Sequence, residues 1–351
     1  MARLDAARVF WPAAVGVSGG GDSIALMVLL ARWAKSRHLP PPIILTVDHR
    51  LQPGSGEQAR GVAAQAAALG LECHVLVWRG KKPQSGIEGH AREARYRLMG
   101  NWCRRQRQGR RVSALYLAHS EDDQAETFLL RLARGSGLDG LAAMQPAAPF
   151  PLPGFAGLKL VRPLLGFSRD ELRAFLAARR IPWHEDPMNG DERFARVRMR
   201  QALPPLAAAG LTPSRIAQAA AHLARARTAL EAATDARIAA AATVEKSRIL
   251  LDGTVLLSAP REIGLRVLAR LLMQVSGQGY RPRFAALESL YDALTRPGFA
   301  GRTLHGCKLA RAPKRAALCG AETFVLMREP GRKRPGHKEK EARGKPGLEP
   351  K

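Results

Sequence analysis

The sequence predicts an α/β fold: an open parallel sheet with helices on both faces, followed by a smaller, mainly helical domain with a few short strands. Three observations support this prediction. The chain has 351 residues, which is more than a single hydrophobic core usually organises, so two domains are expected. Its first half alternates short β-branched runs with longer helical patterns, as a parallel sheet requires. After Pro204 the composition shifts to helical segments rich in alanine and arginine.

The first half reads as four strand–helix pairs. We predict strands at Ala14–Val17, Ile43–Val47, Cys73–Trp78 and Ala114–Ala118. We predict helices at about Ser23–Ala34, at Gln58–Leu69, around Ala91–Leu98, and from about Asp122 to Arg134. In such a sheet the ligand-binding turns lie at the carboxyl ends of the strands.

The rest of the chain is predicted in coarser terms. We predict a glycine-rich connection at 135–140, a proline-rich loop at 146–153, and a helix opened by the capping box of Ser168 and Glu171. A further helix carries apolar residues on one face: Ile216, Ala219, Ala220 and Leu223. Short strands are expected at Ile249–Leu257 and Ala316–Met327. The predicted domains are the α/β domain at 1–206, a mainly helical domain at 207–328 and a disordered basic tail at 329–351.

The charge of the chain indicates a polyanionic partner. Lys and Arg total 56 against 30 acidic residues, a formal net charge of +26. Neutralised phosphates release counterions, so this excess favours nucleic acid. The alternative is a basic tail with scattered solubilising charge, but the charge is not confined to the tail.

The spacing of the cysteines and the lack of long apolar runs argue against several classes of protein. The four cysteines, Cys73, Cys103, Cys307 and Cys319, form no C-x-x-C pair, so neither a zinc or iron–sulfur site nor a disulfide framework is expected. A reducing, cytoplasmic location fits. We find no apolar run long enough to span a membrane and expect no membrane partner.

The most informative stretch is Val17-Ser18-Gly19-Gly20-Gly21-Asp22-Ser23, directly after the first strand. Its glycines let backbone amides approach phosphate oxygens, and the following helix N-terminus favours anions. It has neither the Walker ending nor the dinucleotide-fold spacing. An ordinary glycine-rich turn is the alternative. The stretch resembles the phosphate loop of the PP-loop ATP pyrophosphatases, whose fold is adenine nucleotide alpha hydrolase-like. That resemblance implies cleavage of ATP between the α- and β-phosphates, with Asp22 holding Mg²⁺.

Further stretches narrow the resemblance. They are Val47-Asp48-His49, Ala91-Arg92-Glu93-Ala94-Arg95-Tyr96, His119 to Thr127, Arg131 to Gly137, Arg162-Pro163-Leu164-Leu165, Glu185-Asp186-Pro187 with Asn189, and Arg196 to Pro204. In this order they resemble the tRNA(Ile)-lysidine synthetase family.

The resemblance implies that free L-lysine is joined to C2 of the wobble cytidine of tRNA(Ile) with a CAU anticodon. ATP and Mg²⁺ are then the cofactors, and Asp48 and His119 join residues 18–23 at ATP. The oligomeric state is left open, a homodimer being one option.

An acidic cluster opens the helix after the fourth strand. Asp123 and Glu126 are neighbours on one helical face, and carboxylates in a basic domain suit a cationic amine. Acids are also favoured in any first helical turn. The family resemblance implies that Asp123 and Glu126 bind the lysine.

The basic candidates each have an alternative. Arg92 and Arg95 either stabilise charge developing on the adenylated base or form a solvated helix face. His119 either contacts ATP or is structural. A ladder of arginines either meets tRNA phosphates or lies in solvent: Arg196, Arg198 and Arg200.

The chain departs from the family pattern at Ser120, Val197 and Arg50, where a histidine, an asparagine and a glycine are usual. Three competing functions remain open. A tRNA thiolase of the same superfamily needs a sulfur-carrying cysteine or cluster motif, which the cysteine spacing does not supply. A small-molecule ligase would not need the charge. An RNA-binding module with a decayed ATP site would not need Asp22, Asp123 and Glu126.

Overall fold

The computed structural model describes residues 10–52, 54–83, 85–106, 112–185, 195–245, 247–296, 298–312 and 322–329. The chain divides into two compact units, Met1–Arg227 and Thr228–Lys351. The domain boundary predicted after residue 206 stays a prediction. The interpretations of Asp186, Pro187, Asn189, Cys319 and residues 330–351 lie outside the described residues.

The first unit contains a six-stranded sheet in the order β3-β2-β1-β4-β6-β5. Its strands are β1 (Ala13–Gly16), β2 (Ile43–Asp48), β3 (Cys73–Val77), β4 (Ala114–Leu117), β5 (Ala147–Pro149) and β6 (Lys159–Val161). Every neighbouring pair is parallel except β5 with β6. The predicted parallel sheet is therefore confirmed, with one antiparallel edge strand added.

The sequence analysis did not predict two strands of this first sheet. β5 lies in the segment that we predicted as a proline-rich loop, and that prediction was wrong at 147–149. An edge strand tolerates Pro149 because the side of the strand that faces away from the sheet needs no N–H donor. Strand β6, only three residues long, is too short to show a period of two.

Helices follow the strands as predicted, with small shifts at their ends. They are α1 (Gly21–Ser36), α2 (Ser55–Ala68), α3 (Ile87–Arg105), α4 (Glu121–Leu132), α5 (Leu138–Leu141), α6 (Arg169–Ala177), α7 (Ala195–Ala208) and α8 (Pro213–Ala241). The capping box that opens α6 is confirmed. Glu171 N donates to Ser168 Oγ at 3.2 Å, and Ser168 N donates to Glu171 Oε2 at 2.7 Å.

Alternating strand residues divide the core into two layers. Ala13 and Val15 of β1 pack with α1, α2 and α6 on one face of the sheet. Ala14, between them in sequence, packs with Tyr96 and Met99 of α3 on the other face. Because successive side chains of a strand point to opposite faces, helices on both faces are confirmed.

The second unit pairs helices with an antiparallel sheet in the order β7-β8-β11-β10-β9. Its elements are β7 (Ala242–Val244), β8 (Arg248–Asp252), α9 (Gly253–Leu257), α10 (Arg261–Ser276), α11 (Phe284–Leu294), β9 (Arg302–Leu304), β10 (Cys307–Arg311) and β11 (Thr323–Arg328). The core lies between α10, α11 and the sheet. The strand predicted at Ile249–Leu257 is confirmed for its first half and wrong for 253–257, which form a helix. The strand ends at Asp252, whose carboxylate accepts from Val255 N at 3.0 Å and so caps a short helix.

The carboxyl ends of the parallel strands collect the polar residues that the sequence singled out. The glycine loop follows β1, Asp48 ends β2, and His119 and Arg162 follow β4 and β6. None of the helices in the described ranges has the length and apolarity needed to cross a bilayer.

Candidate active site

The glycine loop between β1 and α1 is organised by the hydroxyl of Ser23. Ser18 N and Gly19 N both donate to Ser23 Oγ at 3.1 Å. The same hydroxyl donates to the carbonyl of Gly20 at 2.8 Å. One side chain thus holds three successive peptide units, which is a structural role beyond the phosphate contact that we predicted for Ser23.

Gly19 has a backbone conformation that other residues rarely adopt. Its φ is +95°, and its carbonyl accepts a hydrogen bond from His184 N at 2.9 Å. A Cβ at Gly21 would lie 3.5 Å from the ring of Trp183. The segment at 181–185 therefore packs against the loop, and sequence analysis missed it because it has no regular structure.

Three acidic residues meet at a single guanidinium. Arg169 lies 3.5 Å from Asp22, 3.7 Å from Asp123 and 3.6 Å from Glu126, measured between nitrogen and carboxylate oxygen. The structure therefore brings together the residues predicted for ATP and lysine. Arg169 itself was missed: it stands inside the capping box that opens α6, a motif that we interpreted only as a helix start.

Asp123 also serves its own helix. Its Oδ2 accepts from Ser120 N at 3.0 Å, and Ser120 is fully buried. The structural alternative for the acids is therefore correct for this oxygen of Asp123. Its Oδ1 is the atom that faces Arg169.

Glu126 is the most enclosed member of the cluster, at 0 % exposure. Its Oε1 accepts from Arg200 Nε at 2.9 Å. Its Oε2 is buried and has no hydrogen-bond partner among the described residues. A buried carboxylate oxygen without a donor costs free energy, so this atom is ready to accept from a bound cation.

Burial raises the pKa of Asp22 to about 6, and the negative charges of Asp123 and Asp122 add to the rise, while Arg169 opposes it. A cation that bound here would give the buried Oε2 of Glu126 a partner and would favour the ionised form of Asp22. No group of three or more His, Cys, Asp or Glu side chains is placed to hold a metal within the described ranges. Mg²⁺ commonly takes one or two carboxylates together with substrate phosphates, so Asp22 beside a phosphate loop fits such an ion.

The three arginines of the predicted ladder do not share one environment. Arg196 and Arg200 stand four apart on one face of α7. Arg196 Nε lies 3.9 Å from Glu88, and Arg200 contacts Glu126. Arg198 is exposed on another face. The predicted contact of all three with tRNA stays a prediction.

Arg92, Arg95 and His119 lie close enough to one another to interact through their charges. Arg92 Nη2 donates to the hydroxyl of Tyr96 at 3.3 Å. Burial, followed by the charges of Arg162, Arg95, Arg92 and Arg196, holds the pKa of His119 well below 6.5. His119 is therefore neutral at physiological pH and can act as a donor or an acceptor but not as a resident cation.

Asp48 has partners of its own. Its Oδ1 accepts from Ser55 Oγ at 2.7 Å and from Arg50 N at 2.9 Å. Burial tends to raise the pKa of Asp48, but these hydrogen bonds outweigh it and leave the pKa below 3.8. Asp48 is thus an ionised residue that fixes the turn into α2, and its predicted role at ATP is not tested.

Several known proteins are similar to this chain in sequence. Residues 7–207 match the family model described as a PP-loop domain. The chain is 41% identical over 305 residues to a tRNA(Ile)-lysidine synthase of Ruegeria pomeroyi, covering 87% of this chain and 70% of that relative. It is 42% identical over 331 residues to a tRNA(Ile)-lysidine synthase of a Methylobacterium species, covering 91% of this chain and 90% of that relative.

One solved structure shares the fold at low sequence identity. It is the U34-tRNA thiolase NcsA from Methanococcus maripaludis with its [4Fe-4S] cluster. The TM-score is 0.50 at 16% identity, over 61% of this chain and 71% of that chain. At this identity the likeness concerns the fold alone.

Proposed function

The chain belongs to the tRNA(Ile)-lysidine synthase family of PP-loop enzymes, and on that premise we propose its reaction. It joins free L-lysine to C2 of the wobble cytidine of a CAU-anticodon tRNA(Ile), with ATP converted to AMP and pyrophosphate. The product pairs with A, so decoding changes from AUG to AUA. A cytoplasmic location follows from the nature of the substrates.

The observation that carries the proposal is the position of Glu126. Its Oε2 is buried without a donor, beside Asp123 and close to the loop that bears Asp22. A buried anion of this kind suits an alkylammonium group, which supplies three N–H donors. Asp123 and Glu126 are thus the proposed lysine ligands.

In the first step, O2 of the cytidine attacks the α-phosphorus of ATP, and the bond to the bridging oxygen of pyrophosphate breaks. Loop residues 18–23 contact the phosphates. Because Ser23 Oγ already accepts from Ser18 N and Gly19 N, the amides of Gly20 and Gly21 are the ones that face the phosphate oxygens. Asp22 would hold Mg²⁺, which neutralises the leaving pyrophosphate. Asp48 and His119 contact the nucleotide, and His119 does so as a neutral group. Arg92 and Arg95 stabilise the negative charge of the transition state.

In the second step, an amine of lysine attacks C2 of the adenylated cytidine. The new C–N bond forms as the C2–O bond breaks, and AMP leaves with that oxygen. The lysine ammonium gives up one proton before its nitrogen attacks and a second when AMP leaves. Asp123 and Glu126, the proposed ligands of the ammonium form, accept the first proton, and the second passes to solvent. Arg196, Arg198, Arg200 and the basic second unit contact tRNA phosphates.

A sulfur-transferring reaction is the runner-up, since thiolases share the fold. It requires an accessible thiolate. Burial raises the pKa of Cys103 to about 12 and that of Cys307 to about 11, and it also raises the pKa of Cys73. The three thiols within the described ranges are therefore protonated at neutral pH, which supports lysine ligation over thiolation by any of them.

The test is incorporation of radiolabelled lysine into a CAU-anticodon tRNA(Ile) transcript with ATP and Mg²⁺. We expect label in the tRNA only with ATP, with one AMP formed per lysine. AMP formation that requires a sulfur donor would favour thiolation. A protein that binds the tRNA but forms no AMP under either condition would contradict the enzyme assignment for this chain.

A further inference from the structure

A group of basic side chains lies at the carboxyl ends of β4 and β6, next to the acidic cluster but distinct from it. It consists of Arg92 and Arg95 of α3, His119 after β4, and Arg162 after β6. We call this group the arginine pocket. Arg162 was quoted in the sequence only as part of an Arg-Pro-Leu-Leu motif and has no role in the reaction proposed above.

The hydroxyl of Tyr96 interacts with two of the guanidinium groups. Arg92 donates to it at 3.3 Å, and Tyr96 also acts on the charge of Arg162, whose pKa it raises against the effect of burial. Arg162 is 9 % exposed and donates from Nη1 to the carbonyl of Gln145 at 2.9 Å. Its guanidinium is thus held by a fixed backbone oxygen and interacts with Tyr96.

Several hydrogen-bonding atoms of the pocket have no partner. Arg162 Nε, Arg95 Nε and His119 Nδ1 are buried without a hydrogen bond among the described residues. His119 is 8 % exposed. Buried polar atoms are rarely left in this state, so three of them in one place indicate that a ligand completes the set.

The charges around the pocket point to an anion. The four groups that act most strongly on His119 through their charge are all arginines: Arg162, Arg95, Arg92 and Arg196. Arg196 has a carboxylate at 3.9 Å, that of Glu88. Like charges gathered at low exposure repel one another unless an anion lies between them. Guanidinium groups match the oxygens of a phosphate in particular.

We propose that Arg162, Arg92, Arg95 and His119 form a binding pocket for a phosphate group, with Arg162 as its central ligand. The proposal rests on the function proposed above for the source of that phosphate. A backbone phosphate of the tRNA and a phosphate of ATP share this chemistry. The sheet order places β4 and β6 on the opposite side of β1 from β2, so the pocket is separated from Asp48 by the glycine loop. His119 also belongs to the nucleotide site proposed above, and Arg92 and Arg95 also face the charge that develops on the adenylated cytidine, so the pocket adjoins the reacting groups. A phosphate of the tRNA next to the target cytidine is the expected ligand.

Arg162→Gln tests the pocket by equilibrium binding. The Kd for a CAU-anticodon tRNA(Ile) transcript is measured without ATP or lysine over a series of salt concentrations, and the Kd for ATP is measured without tRNA. We expect tRNA binding to weaken about tenfold or more. The slope of log Kd against log salt concentration should fall by about 0.7–0.9, the value for one phosphate contact. ATP binding should be unchanged.

Arg97→Gln is the matched control. Arg97 lies on α3 with Arg92 and Arg95, but its side chain is 63% exposed and pairs with Glu93. The substitution makes the same change of charge outside the pocket, and the salt slope should stay within 0.2 or so of that of the unchanged protein. Arg95→Gln is a second pocket variant. Arg95 makes no hydrogen bond within the described ranges, so its replacement removes none from the fold. Thermal unfolding establishes that each variant is folded.

The outcomes separate the two sources. Weaker tRNA binding with a smaller salt slope assigns the pocket to the tRNA backbone. Weaker ATP binding with an unchanged salt slope supports the phosphate pocket with ATP as its source. Unchanged binding of both ligands by folded Arg162→Gln and Arg95→Gln proteins overturns the pocket. Neither assay requires lysine, so failure of the lysine-ligation proposal gives a different pattern: intact binding effects without lysine incorporation.

Discussion

Arg200 Nε lies 2.9 Å from Glu126 Oε1, although 74 residues separate the two in the sequence. The pair forms where α4 packs against α7 through Ala125 and Leu203. The side chain of Glu126 is 1% exposed and that of Arg200 is 34% exposed, so the ion pair has a buried carboxylate and a partly exposed guanidinium group. An arginine that the sequence assigned to tRNA thus also holds a proposed lysine ligand.

Glu126→Gln keeps the size of the side chain and an acceptor for Arg200 but removes the charge. We expect the KM for lysine to rise about 10- to 100-fold, since a hydrogen bond to a charged group contributes about 1.5–3 kcal/mol. Adenylation of the tRNA in the absence of lysine, measured as pyrophosphate release, should be retained. Steady-state kinetics with varied lysine checks this. A loss of tRNA adenylation with an unchanged lysine KM would assign Glu126 to the ATP half-reaction instead.

Arg169→Gln removes the cation shared by Asp22, Asp123 and Glu126. We expect the free energy of unfolding to fall by about 2–4 kcal/mol at pH 8, because buried carboxylates lose their counter-charge. The loss should be smaller at pH 5, where Asp22 is protonated. Urea unfolding at the two pH values measures it. Arg173→Gln on the same helix is the control: its pair with Glu185 is 45% and 66% exposed and should contribute at most about 1 kcal/mol.

Asp22→Asn should stabilise the free protein above pH 6. The pKa of Asp22 is about 6 in the folded protein against 3.8 ordinarily. Between those values the unfolded chain ionises while the folded protein stays protonated, so the wild-type contribution of Asp22 falls as pH rises and levels off above about 6. The difference in unfolding free energy, variant minus wild type, should therefore grow by up to about 3 kcal/mol from pH 4 to pH 7. A difference independent of pH would contradict the burial of this carboxylate.

Gly19→Ala should destabilise the phosphate loop. At a φ of +95° a Cβ strains the backbone by about 1–2 kcal/mol, and relaxation would move the amide that binds Ser23 Oγ. We expect lower thermal stability and a higher Kd for ATP. Gly61→Ala is the matched control: Gly61 is exposed within α2, and a Cβ there meets no atom within 4 Å. That change should stabilise by about 0.8–1 kcal/mol, with ATP binding unchanged.

The sequence was most informative where local chemistry decides structure. The glycine loop, the capping box of Ser168 and Glu171 and the four main strand–helix pairs depend on neighbouring residues, and each was predicted close to its observed bounds. The order of the acidic residues after β4 likewise indicated the site. Strand β5 and the helix after Asp252 were not foreseen, because three to five residues are too few to show a period.

The sequence alone determined the fold class, the position of the glycine loop and the family, since each depends on residue type and spacing along the chain. Tertiary structure decided which side chains meet. Arg169 became the centre of three carboxylates, Arg200 the partner of Glu126, and Arg162 a member of a pocket with Arg92 and Tyr96. Such contacts join strands and helices far apart in sequence. They are set by the order of strands in the sheet and the packing of helices on it, which no local pattern encodes.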